Sequence, residues 1–358
     1  MRRMIYDSKQ WIDDIDETIQ SIGFIDELAD KSVLITGAAG LVCSAVVDLL
    51  IRYNETHKNK IRILLAGRWP EEMTGRFGTY MQKEYISFVT YDAAKTDNVI
   101  SVHSDYIIHG ASNASPDVIM KEPVETMLSN FVGLKYLFDY AKDNKTKRVL
   151  YISSSEVYGR KESDNPYDEN EYGYIDLLNT RNSYSLGKRA AETLCVSYSD
   201  EYGVESVIVR PGHIYGPTAS PYDTRVASAW SYSAAQGNDI VMKSDGLQIR
   251  SYCYCLDCAS AIITVLLRGK NKDAYNISNR HSIINIKRMG EFLSEVSGVN
   301  FIREEADLKE KKAFNPMSNS SLSATKLEAL GWNGLFDAAR GIKHTVEILK
   351  DIKAHNPV

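Results

Sequence analysis

The feature that most restricts this chain lies between Ser32 and Ile51. An apolar run, Ser32-Val-Leu-Ile-Thr36, meets Gly37-Ala-Ala-Gly40 and passes at once into the helical pattern Leu41 to Ile51. Glycine permits so tight a turn and lets backbone N–H groups come close to a phosphate, while the helix N-terminus adds partial positive charge. The strand–turn–helix context separates this stretch from a chance pair of glycines. Gly37, Ala39, Gly40 and Leu41 are therefore candidate contacts for the pyrophosphate of a dinucleotide. The third small position carries Cys43, a thiol small enough for close helix–strand packing.

The same alternation continues. Ile61 to Ala66, Ile86 to Tyr91, Tyr106 to His109, Val149 to Ser153 and Ser206 to Val209 read as strands. Helical patterns separate them, such as Phe131, Leu134, Phe138 and Ala141. Repeated βαβ units predict an α/β fold: a doubly wound parallel sheet of the Rossmann kind, helices on both faces, with a smaller C-terminal α/β lobe for the substrate. The expected organisation is a helical extension over 1–29, a dinucleotide domain over 30–211 and the lobe over 212–358, with the stretch around 251–279 returning to the dinucleotide domain. In the extension, Trp11, Ile12, Ile15, Ile19 and Ile22 fall at helical spacing. Asp337 to Lys353 reads as a closing helix.

Composition removes several classes of function. With 42 Lys+Arg against 47 Asp+Glu the net charge is −5, so no broad basic field exists to hold nucleic acid. Met1-Arg-Arg is followed by Asp7, Asp13, Asp14, Asp16 and Glu17, which is no secretory signal, and no run is long enough for a membrane span. Five cysteines, an odd number, fit a reducing cytoplasm better than a disulfide framework. Cys253, Cys255 and Cys258 lie close together. Ser251 to Leu256 reads as a strand with Cys253 and Cys255 on one face, so these are expected as buried small hydrophobes and no metal site is expected.

The second strand ends in Gly67 and Arg68, where an acidic residue would accept from the ribose 2′-OH of NAD. Arg68 could instead accommodate the 2′-phosphate of NADP, or simply be a solvated cation. Asp92, after the third strand, could accept from the adenine amino group. Further on, Tyr184-Ser-Leu-Gly-Lys188 places a phenol and an ammonium one helical turn apart on one face. The ammonium is expected to lower the phenol pKa, as a base working near neutrality requires. A chain with 22 tyrosines produces this spacing by chance. It gains weight from Ser153-Ser154-Ser155-Glu156, whose hydroxyls end an intervening strand.

Taken together, T-G-x-x-G at the first turn, S-S-S-E-V-Y-G at 153–159, Tyr184-x-x-x-Lys188, Arg210-Pro-Gly-His-Ile-Tyr-Gly-Pro217 and Arg250-Ser-Tyr-Cys-Tyr resemble the extended short-chain dehydrogenase/reductases. These are NAD-dependent epimerases and dehydratases of nucleotide sugars. The resemblance runs from about residue 30 onward. It implies Ser154, Tyr184 and Lys188 as the catalytic set, with Lys188 also holding the nicotinamide ribose. It also implies Ala111 and Pro211 at the cofactor, and Ser112, His213, Arg225 and Arg250 at a nucleoside-diphosphate sugar. Homodimers are common in the family, through helices that would include Asn130–Asp143 and Asn182–Glu201.

Within that family, 4,6-dehydratases carry Asp-Glu where Ser155-Glu156 stands here, which argues against dehydration. Ser153 to Gly159, Ala111-Ser-Asn-Ala-Ser-Pro116, Gly187 to Cys195 and Thr224-Arg225-Val226 are similar to UDP-glucuronate decarboxylases, with Glu156 near the sugar C5. His213 departs from that branch, where Asn is usual, and leans toward epimerases. The expected activity is oxidation of a sugar C4 hydroxyl with bound NAD through a 4-keto intermediate, most simply followed by loss of a C5 carboxylate as CO2. A 4-epimerase and an NADPH-dependent 4-ketosugar reductase are the alternatives. For Glu156 the bland reading is an ion pair with a base such as Arg160, and for Arg225 and Arg250 a surface ion pair.

Overall fold

The computed structural model describes residues 4–305 and 317–353, so the basic start Met1 to Arg3 lies outside the described residues. Six strands come first: β1 (Ser32–Thr36), β2 (Arg62–Gly67), β3 (Ile86–Thr90), β4 (Tyr106–His109), β5 (Arg148–Ile152) and β6 (Ser206–Pro211). They are followed by β7 (His213–Tyr215), β8 (Ile240–Met242), β9 (Ile249–Tyr254), β10 (Asp273–Ile277), β11 (Ile283–Asn285) and β12 (Phe301–Arg303). Seven of them form one sheet in the order β10-β6-β5-β4-β1-β2-β3, and every pairing in it is parallel. The strand order reverses beside β1, and the crevice at the carboxyl ends there is where such sheets bind ligands.

The helices named below are α1 (Lys9–Ser21), α2 (Leu41–Thr56), α3 (Pro70–Phe77), α4 (Pro116–Lys121), α5 (Pro123–Asp143), α6 (Ser183–Tyr202), α7 (Val226–Gln236), α8 (Cys255–Arg268), α9 (Ile286–Ser297) and a last helix, Ala338–Lys353. A sheet covered on both faces has strands apolar at every position, because alternate residues enter different cores. In β1, Val33 and Ile35 join the core under α2 and α8, while Leu34 joins the core under α5 and α6. In β5 the same alternation sends Leu150 and Ile152 one way and Val149 and Tyr151 the other. The expected fold class is therefore found.

After Pro211 the chain builds two small sheets, β11-β9-β7 and β12-β8, before β10 returns to the edge of the large one beside β6. Helix α1 packs on α2 and α8 through Trp11 and Ile15, both fully buried. Asp14, also fully buried, accepts from the Tyr254 hydroxyl at 3.0 Å and lies 2.9 Å from His344 Nδ1 on the last helix. A polar knot thus secures the extension, which its apolar spacing alone did not foretell.

One strand expectation is corrected. Cys253 lies on β9, but Cys255 is the first residue of α8, so the two do not share a strand face. Asp257, in the first turn of α8, accepts the backbone N–H groups of Leu335 and Phe336 and an amide of Asn279, which ties that helix to the C-terminal segment. All three cysteines are buried free thiols. Among the described residues no cluster of His, Cys, Asp and Glu could hold a metal, and no helix is long and apolar enough to cross a membrane.

Candidate active site

The turn between β1 and α2 is shaped for close approach. Gly37 has φ +67°, and a Cβ there would lie 2.9 Å from the backbone of Gly110 and Ala111. A side chain at 37 is therefore excluded by conformation and by space. Gly40 caps α2, so Leu41 and its neighbours present the unpaired first N–H groups of a sixteen-residue helix. Gly110 lies so near α2 that its missing Cβ would meet Cys43 Sγ at 2.4 Å. Cys43 thus fills the third small position, and burial pushes its thiol up to about 12.

The hydroxyl that ends β1 fixes the neighbouring strand end. Thr36 Oγ1 accepts the N–H of Gly110 and of Ala111 at 3.2 and 3.1 Å and stands 2.7 Å from His109 Nδ1. Burial, and then the charge of Lys188, hold His109 down at about 3, so the imidazole is neutral. This places Ala111 beside the glycine turn. Ser112 Oγ, next along, is buried without a hydrogen-bond partner among the described residues.

Tyr184 and Lys188 share a face of α6, and both are buried. Lys188 Nζ donates to the Ile152 carbonyl at 2.7 Å and lies 5.6 Å from the centre of the Tyr184 ring. Burial lowers the lysine to about 7, opposed by the charge of Glu192. Tyr184 is raised to about 12 by burial and then by Glu156, while a hydrogen bond with Ser154 and the charges of Arg225 and Arg181 pull it back. The expected lowering of the phenol is not found, because burial and the charge of Glu156 outweigh the groups that pull it down.

Ser154 caps the short turn Ser155–Tyr158, accepting from the Glu156 N–H at 3.2 Å. Glu156 accepts from Ser185 at 2.9 Å and pairs with Arg181 at 3.4 Å. Its basic neighbour is thus Arg181, and Arg160 instead exchanges backbone bonds with Tyr174. Ser153, directly before, donates to Glu192, which is locked to Arg210 on β6. Neither Glu192 nor Arg181 was singled out from sequence. The four-residue steps Tyr184, Lys188 and Glu192 were a signal for the first.

The small sheet β11-β9-β7 carries two of the remaining candidates, His213 and Arg250. His213 on β7 stands in register with Tyr252 on β9, two residues beyond Arg250. His213 is neutral, held down at about 3 by burial and then by Arg250 and Arg225, and its Nδ1 lacks a partner among the described residues. Arg250 is 3% exposed, and its guanidinium donates to the Ile249 carbonyl, with no carboxylate paired to it among the described residues. A buried cation without a counter-ion is costly unless an anion completes it. Arg225 does form the ion pair foreseen as its bland alternative, gripping Asp223 at 2.6 Å. Pro211 is buried at the end of β6.

Arg68 is exposed at the lip of a cavity of about 460 Å³, lined also by Trp69, Tyr91, Asp92 and Asn98. The Asp92 carboxylate accepts the Ala94 N–H at 3.0 Å. The residues present fit a dinucleotide: a cradle closed to any Cβ at Gly37, a free helix N-terminus and an adenosine-sized cavity beyond β2 and β3.

The chain is similar to several known proteins. UDP-glucuronic acid decarboxylase 1 of Xenopus tropicalis is 27% identical over 337 residues, 93% of this chain and 76% of that protein. The structure of UDP-glucose 4-epimerase from Thermotoga maritima with UDP-glucose superposes with a TM-score of 0.76 at 21% identity, covering 89% of this chain and 99% of the other. UDP-glucuronic acid 4-epimerase from Bacillus cereus, in complex with UDP-glucuronic acid and NAD, gives 0.74 at 19% identity, covering 90% and 99%. The sequence profile of the NAD dependent epimerase/dehydratase family matches residues 33–278, and the chain belongs to that family.

Proposed function

We propose that this protein is a UDP-glucuronate decarboxylase. The observation that carries the reading is the meeting of Ser154, Tyr184 and Lys188 at the carboxyl end of the sheet, beside the Gly37–Leu41 turn, with Glu156 two residues from Ser154. NAD, held by Gly37, Ala39, Gly40, Leu41, Ala111, Lys188 and Pro211, supplies when bound a reversible two-electron acceptor at the sugar C4. Tyr184 Oη takes the proton of the C4 hydroxyl, and Ser154 holds that hydroxyl by a hydrogen bond. Lys188, lowered to about 7, can take up the proton that the Tyr184 phenol must give up to act as the base.

The resulting 4-ketone lies β to the C5 carboxylate, so CO2 leaves with its electron pair delocalised into the ketone. Tyr184 and Glu156 then manage the proton that returns to C5. Arg250 meets the diphosphate, whose negative charge compensates a guanidinium that has no carboxylate partner among the described residues, with Ser112, His213 and Arg225 around the sugar. The lobe after Pro211 is read as the substrate lobe. The exposed stripe Val124, Met127, Leu128 and Phe131 on α5 supports a homodimer, and five unpaired cysteines support a cytoplasmic location.

Arg68 at the adenosine cavity favours a second reading, a 4-ketosugar reductase using NADPH. One experiment separates the two: purified protein is incubated with UDP-, TDP-, GDP- and CDP-sugars and the products weighed. A loss of about 44 mass units from UDP-glucuronate supports decarboxylation. Stoichiometric consumption of NADPH with a 4-keto sugar would replace it with the reductase.

A further inference from the structure

Three arginine–carboxylate pairs surround the site, and they differ in quality. Arg210 grips Glu192 through bonds of 2.9 and 2.6 Å, and Arg225 holds Asp223 at 2.6 to 3.1 Å. Arg181 reaches Glu156 only at 3.4 and 3.5 Å, with its side chain 35% and that of Glu156 36% exposed. The short bond to Glu156 comes instead from Ser185, at 2.9 Å. A guanidinium fork that stands off its carboxylate in an open cleft retains N–H donors for a second one.

The place of this loose pair matters. Arg181 lies in the short turn Thr180–Asn182 that leads into α6, three residues before Tyr184. Glu156 and Arg181 both act electrostatically on the Tyr184 phenol, in opposite senses. The group bound at C5, next to the carbon that Tyr184 serves, therefore lies within reach of this pair. A negatively charged sugar would meet Glu156 there, and among the described residues Arg181 is the cation paired with Glu156, while Arg225 is held by Asp223 and His213 is neutral.

We infer that Arg181 is a specificity-determining residue that admits a uronate: it cancels the charge of Glu156 and offers its remaining donors to the carboxylate on the substrate's C5. The inference rests on the reading of Tyr184 as the base at C4. It assigns the choice between charged and neutral sugars to a residue outside the Ser154–Tyr184–Lys188 set.

Calorimetric titration of the NAD-loaded enzyme with UDP-glucuronate and with UDP-glucose tests it. Arg181→Gln should weaken UDP-glucuronate about tenfold or more, the size of one uncompensated like-charge contact in a partly solvated cleft, and leave UDP-glucose within about twofold. Arg181→Lys should retain most of the preference. Adding Glu156→Gln to Arg181→Gln should recover much of the lost affinity, because the repelling charge is gone. UDP-glucose binding reports that each variant is folded. Equal losses for both ligands, or a wild-type enzyme without preference for the uronate, would overturn the inference. A wild type that binds UDP-glucuronate in preference but leaves it chemically unchanged would instead overturn the decarboxylase reading alone.

Discussion

Glu192 Oε2 and Arg210 Nη2 stand 2.6 Å apart, buried between α6 and the end of β6, one turn beyond Lys188. The pair is extended by Ser153, which donates to Glu192 at 2.5 Å, and by the Tyr158 hydroxyl and Glu169 carbonyl, which accept from Arg210 at 3.0 and 2.8 Å. It therefore joins the strand that presents Ser154 to the helix that presents Tyr184. Arg210→Met leaves a buried carboxylate without its counter-charge, and the expected cost is about 3–5 kcal/mol of folding stability. Urea unfolding measures this directly. A loss below about 1 kcal/mol would mean that water reaches Glu192 and that the pair has no part in fixing the site.

Tyr184→Phe keeps the ring packed and removes only the hydroxyl. NAD affinity, followed by calorimetric titration, should stay within about threefold, while turnover falls by about two to four orders of magnitude, the usual worth of a general acid–base group. A drop of less than tenfold would remove Tyr184 from the proton transfer.

Lys188 makes stability depend on pH in a calculable direction. Burial lowers it from 10.5 to about 7 in the folded chain. Between those values the unfolded chain binds a proton that the folded chain does not, so stability rises with pH across that window. It is lost as pH falls toward about 7, where the penalty is fully developed. Lys188→Met should remove this dependence, so the gap in unfolding midpoint between variant and wild type should narrow from about pH 7 to pH 10. Parallel curves for the two proteins would show that Lys188 is charged and compensated in the fold.

Arg68→Asp tests the adenosine cavity. A carboxylate there would repel a 2′-phosphate and accept from a 2′-hydroxyl, so NADP binding should weaken about tenfold or more while NAD binding holds or improves. Fluorescence titration with both cofactors reads the ratio. An unchanged ratio would place the Arg68 guanidinium in solvent, away from the ribose.

The legible parts of this fold share one property: they are local. Gly37 and Gly40 between an apolar strand and a helix, or Tyr184 and Lys188 one turn apart, can be read because the constraint acts within a few residues. Strand limits were read to within a residue or two for β1 to β6, since each strand must fill two cores. What escaped depends on distant segments. Cys255 continues an apolar alternation, yet it starts α8, whose Asp257 holds backbone donors from Leu335 and Phe336. Arg181 meets Glu156, and Glu192 meets Arg210, only once β5, β6 and α6 are packed. His109 looked like the apolar end of a strand, and its bond with Thr36 arises from the parallel pairing of β4 with β1.

The central claim is that Tyr184 opens an oxidation at C4 that ends in loss of the C5 carboxylate, with the cofactor restored. The most direct measurement uses UDP-glucuronate isotopically labelled at its carboxyl carbon, with NAD far below the substrate concentration. Labelled CO2 should appear in step with a UDP-pentose over many turnovers, and no reduced cofactor should accumulate. Label retained in a product of unchanged mass would make the enzyme a 4-epimerase, and reduced cofactor rising mole for mole with product would end the account of a closed redox cycle.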